Sequence, residues 1–287
     1  MTTIGSIRRD LTSRLRPVAG DQAAVEADRL LGEVVGACPT ELTLRYDETL
    51  TPMQCKQLDA LAVDRLTGRP LAYVIGHVEF YGLDLLCDER VMIPRPETEE
   101  ALEIALESLP AWTYGYQPIA VDVGTGSGNI ALALARLRPD LRVIGIDTEA
   151  DALAVACENC ARLQLSERVK FIRGRSLSML SETGRVDLIV SNPPYIAPGD
   201  PNVERSVSDY EPHTALFAGP SGLETIDELI DQALYVLRRG GTLVCEIGYD
   251  QAPQVAHLAS PTLGWSAPEF FHDLAGIERV FTLRRLR

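Results

Sequence analysis

The tetrapeptide Asn192-Pro193-Pro194-Tyr195 combines residue types that could hold a planar nitrogen group. Its prolines fix φ and keep the preceding residues extended, so the turn is rigid before any substrate arrives. They also lack N–H donors, which leaves a surface of carbonyl acceptors. If Asn192 Oδ1 and the Pro193 carbonyl accepted the two protons of an amide or aromatic amine, the nitrogen would be oriented for methylation, with Tyr195 as a packing wall. We therefore predict Asn192, Pro193 and Tyr195 as catalytic, and Asn192 to Tyr195, Pro194 included, as substrate-binding.

A glycine loop, Gly124-Thr125-Gly126-Ser127-Gly128, follows an apolar run that contains Asp122. Glycines at loop positions 1, 3 and 5 do not match the dinucleotide fingerprint, which needs glycine at position 6, where Asn129 stands. The loop instead resembles that of S-adenosylmethionine-dependent methyltransferases, whose cofactor carries a cationic sulfonium and an amino-acid tail. Asp122 would then interact with the cofactor's amino group, and Asp147, at the end of the next apolar run, with its ribose hydroxyls. No residue is assigned to a metal, and the predicted cofactor-binding residues are Asp122, Val123, Gly124, Thr125, Gly126, Gly128, Asp147, Ser176 and Asn192.

Apolar periodicity predicts the elements that position these motifs. Helical spacing covers Ile7–Leu15, Ala23–Val35, a segment from Pro52 and Pro96–Leu109. After Pro118, short apolar runs alternate with helical patterns, which is typical of a mostly parallel sheet covered on both faces. The predicted strands are Ile119–Val123, Arg142–Ile146, Val169–Ile172, Val186–Ser191, Thr242–Ile247, Ser266–Phe271 and Arg279–Leu283. The last two lack room for a crossover helix between them, so we expect them to pair antiparallel. The predicted helices among these strands are Asn129–Arg138, Ala150–Leu163, Leu223–Leu237 and Gln251–Leu258.

Aromatic and β-branched residues between Ala72 and Val91, broken by Gly76 and Gly82, predict a hairpin that links two domains. The predicted fold class is α/β, a Rossmann-like class I S-adenosylmethionine-dependent methyltransferase with seven strands. The predicted domains are a helical N-terminal domain (1–71), the linking hairpin (72–94) and the catalytic domain (95–287).

Net charge limits the partners. The chain carries 27 Lys+Arg against 41 Asp+Glu, and residues 76–287 alone hold a net charge of −13. A surface this acidic lacks the basic footprint of a nucleic-acid binder and suits a small molecule or a basic protein. The first residues, with Arg8 and Arg9 following at once, do not resemble a secretory signal, and no apolar run is long enough to cross a bilayer. We expect a cytoplasmic protein without membrane or direct nucleic-acid partners.

Nearly the whole chain resembles the HemK/PrmC family, the peptide chain release factor N5-glutamine methyltransferases. The motifs that carry this resemblance, besides the loop and the tetrapeptide, are Pro70–Tyr73, Glu79–Leu83, Ile93–Glu99, Glu211-Pro212, Gly222-Leu223, Glu246–Gly248 and Asp273–Gly276. The resemblance implies S-adenosyl-L-methionine as cofactor and methyl transfer to the glutamine amide in the Gly-Gly-Gln motif of class I release factors. By this resemblance Asn192 and Pro193 would hold that amide, Tyr195 would pack on it, and the helical N-terminal domain would help to dock the protein substrate. We expect a monomer.

The chain departs from the family pattern at two places, and one of them is Ser221, which replaces a frequent aspartate before Gly222. Where the family usually has an acidic-aromatic pair near the adenine, this chain has Arg175-Ser176. An arginine cannot accept the adenine amino proton, so we expect a backbone carbonyl or another residue to accept it. The departure leaves open an N-methyltransferase acting on a free amide or guanidino group. A DNA adenine N6-methyltransferase, which shares the tetrapeptide, is disfavoured by the charge, and a binding protein without turnover by the intact Asn192 and Asp122.

Overall fold

The computed structural model describes residues 3–111, 113–180, 184–201, 203, 205–259 and 264–287. The chain divides into two units: Met1–His77 with Arg205–Tyr210, and Val78–Glu204 with Glu211–Arg287. The predicted boundary lies at residue 71, whereas this division keeps residues 72–77 with the helical unit.

Helices build the first unit. They are α1 (Ile4–Ala19), α2 (Ala23–Val35), α3 (Pro39–Leu44), α4 (Pro52–Leu66) and α5 (Leu71–Ile75), with a 3₁₀ turn at Gly20–Gln22. Helix α4 begins at Pro52, as predicted. A capping box precedes it, because the Thr51 hydroxyl accepts from the Gln54 N–H while Gln54 Oε1 accepts from the Thr51 N–H. Apolar residues spaced along α1 and α2, such as Leu11, Leu15 and Leu30, meet in one buried core.

The predicted hairpin is shorter than the aromatic and β-branched run indicated. Tyr73, Val74 and Ile75 belong to α5, and only β1 (His77–Phe80) and β2 (Leu83–Leu86) form the two-stranded sheet. Tyr73 and Val74 are buried, and Gly76 ends the helix at a φ of +83°. Burial of one helical face therefore outweighs the strand preference of these side chains.

The second unit contains a mixed sheet, seven-stranded in the part of the chain described, with the order β5-β4-β3-β6-β7-β9-β8. Its strands are β3 (Ile119–Val123), β4 (Arg142–Asp147), β5 (Val169–Arg173), β6 (Val186–Ser191), β7 (Leu237–Glu246), β8 (Glu269–His272) and β9 (Glu278–Arg284). Strands β3 to β7 pair in parallel, while β9 pairs antiparallel with both β7 and β8, as expected for the short last connection. The predicted α/β fold with a mostly parallel sheet is confirmed.

Helices accompany these strands: α6 (Pro96–Ser108), α7 (Asn129–Leu137), α8 (Ala150–Arg162), α10 (His213–Leu216), α11 (Glu224–Val236) and α12 (Ala252–Leu258), with a 3₁₀ turn at Ser176–Met179. The remaining short helix, α9 (Arg205–Tyr210), belongs to the first unit, where the Tyr210 hydroxyl donates to the Thr67 carbonyl at 3.1 Å. None of the helices in the described ranges is long and apolar enough to span a membrane.

The sheet order reverses between β3 and β6. From β3 the chain builds outward through β4 and β5, and then returns to place β6 on the other side of β3. Val123 and Ser191 lie opposite each other where these two strands end. Ligands of open α/β sheets bind at such a switch point, outside the carboxyl ends of the strands. Both sequence motifs follow directly from these two ends.

Candidate active site

A cleft of about 610 Å³ opens within the second unit at the carboxyl ends of β3, β4 and β6. Both predicted motifs contribute to its lining. Gly124 and Gly126 come from the glycine loop, Asp147 from the end of β4, and Asn192 and Pro194 from the tetrapeptide. The volume suits a ligand the size of a nucleoside with a tail.

The glycine loop has a backbone that ordinary side chains would strain. Gly124, Gly126 and Gly128 have φ values of +73°, +53° and +82°. Gly124 and Thr125 both donate their N–H groups to the Ile146 carbonyl, at 2.9 and 3.0 Å, which fixes the loop against β4. A side chain at Gly128 would also approach Leu132, the Ala156 methyl and the Phe171 ring at 3.1–3.3 Å. The loop is therefore held close to the sheet, and its glycines place backbone without side chains at the cleft.

Asp122 lies behind this loop, and its neighbour Val123, not Asp122 itself, is among the lining residues described. Its Oδ2 accepts from the Thr125 hydroxyl at 2.7 Å and from the Ala131 N–H at 3.1 Å. Its Oδ1 is buried and has no partner among the described residues. Burial raises the pKa of Asp122 to about 7. An unpaired buried oxygen of this kind fits a cationic group that the protein alone does not supply, as the amino end of S-adenosylmethionine would be.

Asp147 lines the cleft itself. Its Oδ2 accepts from the Gly126 N–H at 2.9 Å, and its Oδ1 accepts from the Glu149 N–H at 3.0 Å. Burial raises the pKa of this carboxyl, partly opposed by these backbone donors. Each carboxylate oxygen keeps a further lone pair, so the group can still accept from the two hydroxyls of a ribose. The residues present therefore fit the predicted cofactor.

On the adenine side of the predicted site, the departure from the family pattern has a structural counterpart. Arg175 and Glu228 both line the cleft, and Arg175 Nη2 lies 3.3 Å from Glu228 Oε2. Glu228, on α11, thus brings a carboxylate acceptor to the cleft that the sequence pattern did not reveal. The side chain of Ser176 lies outside the described part of the structure.

The tetrapeptide is fixed from several sides. The Ser191 hydroxyl before it donates to the Val123 carbonyl at 2.7 Å, and Ile196 after it exchanges backbone hydrogen bonds with Leu216 and Ala218. Asn192 Nδ2 donates to the Thr98 hydroxyl at 3.0 Å, so Oδ1 is the atom that remains to accept from a substrate. Asn192 and Pro194 line the cleft, whereas Pro193 is buried and Tyr195 packs toward the apolar core on the β7 side.

Tyr195 is positioned by residues that the sequence reasoning did not assign. Its hydroxyl donates to Glu246 Oε1 at 3.1 Å, and its carbonyl accepts from Gln251 Nε2 at 3.0 Å. Burial, with the nearby Glu246 charge, raises the pKa of Tyr195 well above its ordinary value. At Gly222, with a φ of +78°, a Cβ would lie 2.6 Å from the Tyr195 carbonyl oxygen. Glycine is thus required there by both conformation and space.

Arg95, in the Ile93–Glu99 segment that carries the family resemblance, is the residue preceding α6 and forms an ion pair with Glu211. Glu211 is 4% exposed, and its Oε2 accepts from the Ile93 N–H at 3.1 Å. Burial raises the pKa of this carboxyl, and the Arg95 charge opposes the shift. The pair ties the segment before α6 to the segment before α10.

Helix α8 carries two cysteines that differ in exposure: Cys157 is exposed, whereas Cys160 is buried. Within the residues that the structure describes, no three His, Cys, Asp or Glu side chains are grouped to hold a metal ion.

Comparisons with known proteins cover both units. Residues 6–76 match the family model described as PrmC N-terminal domain, and residues 119–261 match the one described as methyltransferase domain. The release factor glutamine methyltransferase of Nitratidesulfovibrio vulgaris is 40% identical over 274 residues, 92% of this chain and 91% of the relative. Its counterpart in Escherichia coli is 37% identical over 273 residues, 95% of each chain.

Solved structures agree on the fold. The hMettl16 catalytic domain matches with a TM-score of 0.56 at 17% identity, over 85% of this chain and 84% of that one. A human methyltransferase 10 domain containing protein matches with a TM-score of 0.53 at 17% identity, over 71% of this chain and 89% of that one. These likenesses confirm the predicted class I methyltransferase fold. With a specific N-terminal domain, a methyltransferase domain and near full-length identity of 37–40% to the two curated relatives, the chain belongs to the release factor glutamine methyltransferase family.

Proposed function

We propose that the protein methylates N5 of the glutamine side chain in the Gly-Gly-Gln motif of class I peptide chain release factors, with S-adenosyl-L-methionine as methyl donor. The observation that carries this proposal is the fixed amide of Asn192. Because Asn192 Nδ2 donates to Thr98, its Oδ1 remains to accept from a substrate NH₂ group in the cleft that the glycine loop also lines. Curated relatives that match over nine-tenths of the chain bear the name of this activity.

The chain's own residues divide the work between two ends of the cleft. Gly124, Gly126 and Asp147 would hold the nucleoside part of the cofactor, with Asp122 behind the loop balancing its cationic amino end. When bound, S-adenosylmethionine supplies an electrophilic methyl group on a sulfonium. The predicted roles of Ser176 and Val123 in cofactor binding stay proposals.

At the substrate end, an amide nitrogen is a weak nucleophile because its lone pair is delocalised into the carbonyl. Asn192 Oδ1 and the Pro193 carbonyl would accept its two protons and hold the nitrogen in line for displacement. Tyr195 would pack against the planar amide. The prolines keep these acceptors in place before the substrate arrives, so little ordering is left to the moment of reaction.

The net charge of the chain supports a basic protein as the binding partner. A net charge of −14 suits a release factor whose surface carries basic groups for ribosomal RNA. We propose that the helical first unit takes part in docking this protein substrate, and that the enzyme works in the cytoplasm as a monomer without direct nucleic-acid or membrane contacts.

The decisive experiment identifies the molecule that carries the new methyl group. The protein is incubated with methyl-labelled S-adenosylmethionine and a class I release factor, and peptides are mapped by mass spectrometry. The label should lie on the glutamine of Gly-Gly-Gln. A release factor with that glutamine changed to alanine, free glutamine and duplex DNA serve as controls and should stay unlabelled. Label on free amino acids, or on DNA, would overturn the assignment.

A further inference from the structure

Glu246 is a buried carboxylate at the end of β7 that does not line the cleft but reaches two residues of the predicted substrate site. It is 2% exposed. Its Oε2 accepts from the Thr98 hydroxyl at 2.8 Å, and its Oε1 accepts from the Tyr195 hydroxyl at 3.1 Å. Thr98, on α6 and 1% exposed, in turn accepts from Asn192 Nδ2. A chain of hydrogen bonds therefore joins Asn192 to Tyr195 through Thr98 and Glu246.

The direction of each bond in this chain follows from the chemistry of its members. An ionised carboxylate only accepts, so the single proton of the Thr98 hydroxyl must point to Glu246. The Thr98 oxygen can then only accept from its other neighbour, which forces the NH₂ side of the Asn192 amide toward it. The Asn192 carbonyl oxygen is left on the opposite side. An amide turned by 180° would present donors to a substrate NH₂ group and could not hold it.

Burial of this charge has no evident structural benefit. The cation whose charge reaches Glu246 from β9, Arg279, is itself paired with Asp273 at 3.2 Å, and Glu97 on α6 adds a like charge. Burying a carboxylate without an ion pair is unfavourable, and a neutral side chain would cost less there. An acceptor-only group is nevertheless what the Asn192 orientation requires.

We propose that Glu246 is a positioning residue that sets, through Thr98, the orientation of the Asn192 amide and, through its other oxygen, the position of the Tyr195 ring. The inference rests on the proposed function, since it concerns the same substrate site. It adds that the orientation of donors and acceptors in the site is determined by a carboxylate at the end of β7, which is not among the residues described as lining the cleft.

The test uses the full-length enzyme with a near-isosteric change, Glu246→Gln. The amide can accept only through its oxygen, so one of the two hydroxyls loses its acceptor and faces a donor instead, which breaks the order of donors and acceptors. We expect kcat to fall about 10²-fold, the effect typical of an aligned group lost from such a site, with KM for the release factor and calorimetric affinity for S-adenosylhomocysteine changed less than about threefold. Glu107→Gln, an exposed position on α6, is the matched control.

Thr98 separates positioning from a general effect on folding. Thr98→Val, which keeps the shape and removes the hydroxyl, should lower kcat like Glu246→Gln, and Thr98→Ser should recover at least tenfold over the valine variant. On an Asn192→Ala background, Thr98→Val should add little further loss, because its effect passes through Asn192. A multiplicative loss in the double variant, or an equal fall in cofactor affinity, would overturn the inference.

A readout without any substrate makes the inference independent of the proposed function. In NMR spectra of the ¹⁵N-labelled protein, the Asn192 side-chain NH₂ protons should exchange with water more slowly in the wild type than in Glu246→Gln or Thr98→Val, since only the wild type holds them on Thr98. Equal exchange in the three proteins would refute the positioning role, whatever the methyl acceptor is. A wild type that labels no release factor, yet shows this difference, would refute the proposed function alone.

Discussion

Cofactor affinity should depend on pH through Asp122, whose carboxyl the folded chain surrounds without neutralising. Burial raises its pKa to about 7, so at neutral pH about half of the molecules carry a proton there. A bound cofactor with a cationic amino end would favour the ionised form and bring the pKa back toward its ordinary range. Binding then has to displace the proton, and affinity falls as the pH is lowered through 7.

The size of the effect follows from the pKa. If Asp122 is ionised in the complex, the dissociation constant should rise about fifty-fold between pH 7 and pH 5, or ~2.3 kcal/mol of binding free energy. Isothermal titration calorimetry with S-adenosylhomocysteine, repeated in buffers of different ionisation enthalpy at pH 6, should also show release of close to one proton per cofactor bound. The change is measured on folded protein, so circular dichroism should first show that the protein stays folded from pH 7 to pH 5.

The variant Asp122→Asn isolates this carboxyl from Asp147, whose pKa is also raised by burial. It should bind the cofactor more weakly at pH 7, with a much flatter dependence on pH. The pKa of Asp122 is higher in the folded than in the unfolded protein, so the ionised carboxylate destabilises the fold at high pH. At pH 8 the free energy of unfolding of the variant should therefore be no smaller than that of the wild type. Asp47→Asn, an exposed change in the first unit, controls for loss of one negative charge. A wild-type dissociation constant that is constant from pH 7 to pH 5 would refute the reasoning.

Three further outcomes test the site. Gly222→Ala should lower kcat at least tenfold, because a Cβ there would lie 2.6 Å from the Tyr195 carbonyl oxygen. Gly276→Ala is the control and should keep its activity, since Gly276 has a nearly equal φ of +79° but open space around it. Equal effects of the two changes would mean that backbone strain alone matters. Asp147→Ala should raise the dissociation constant for S-adenosylhomocysteine at least about tenfold while the protein stays folded, and unchanged binding would remove Asp147 from the cofactor site. Burial raises the pKa of Glu246 to about 7, so kcat should fall as the pH is lowered through 7, and the Glu246→Gln variant should lack this acidic limb in its pH–rate profile.

The central strands β3 and β6 could be predicted from the sequence because they are buried on both faces. Val186–Ser191 is buried at every position, and such continuous apolar runs between turn signals have few other interpretations. Prediction failed where a local preference competed with tertiary burial. Tyr73, Val74 and Ile75 favour strands, yet they form α5, and β7 begins at Leu237, five residues before the predicted Thr242.

The site was predictable only as far as it is contiguous in the chain. The glycine loop and the tetrapeptide each carry their residues within a few positions, so their chemistry could be read directly. Thr98 and Glu246 lie 148 positions apart and meet through the fold alone. Both residues lie in segments that carry the family resemblance, Ile93–Glu99 and Glu246–Gly248, but no spacing rule connects α6 to the end of β7. Contacts of this kind need coordinates.

Asn159 joins two segments that are distant in the chain, and the contact depends on the identity of only one of the residues involved. Buried on α8, its amide exchanges hydrogen bonds with both backbone groups of Leu86 in β2 and donates to the Ser127 carbonyl inside the glycine loop. Every partner is main chain, which any amino acid except proline provides. As far as these hydrogen bonds are concerned, we expect relatives to vary at positions 86 and 127 and to keep asparagine at position 159, which an alignment of relatives would check. A single side chain thus holds two distant segments together without requiring a particular side chain in either of them.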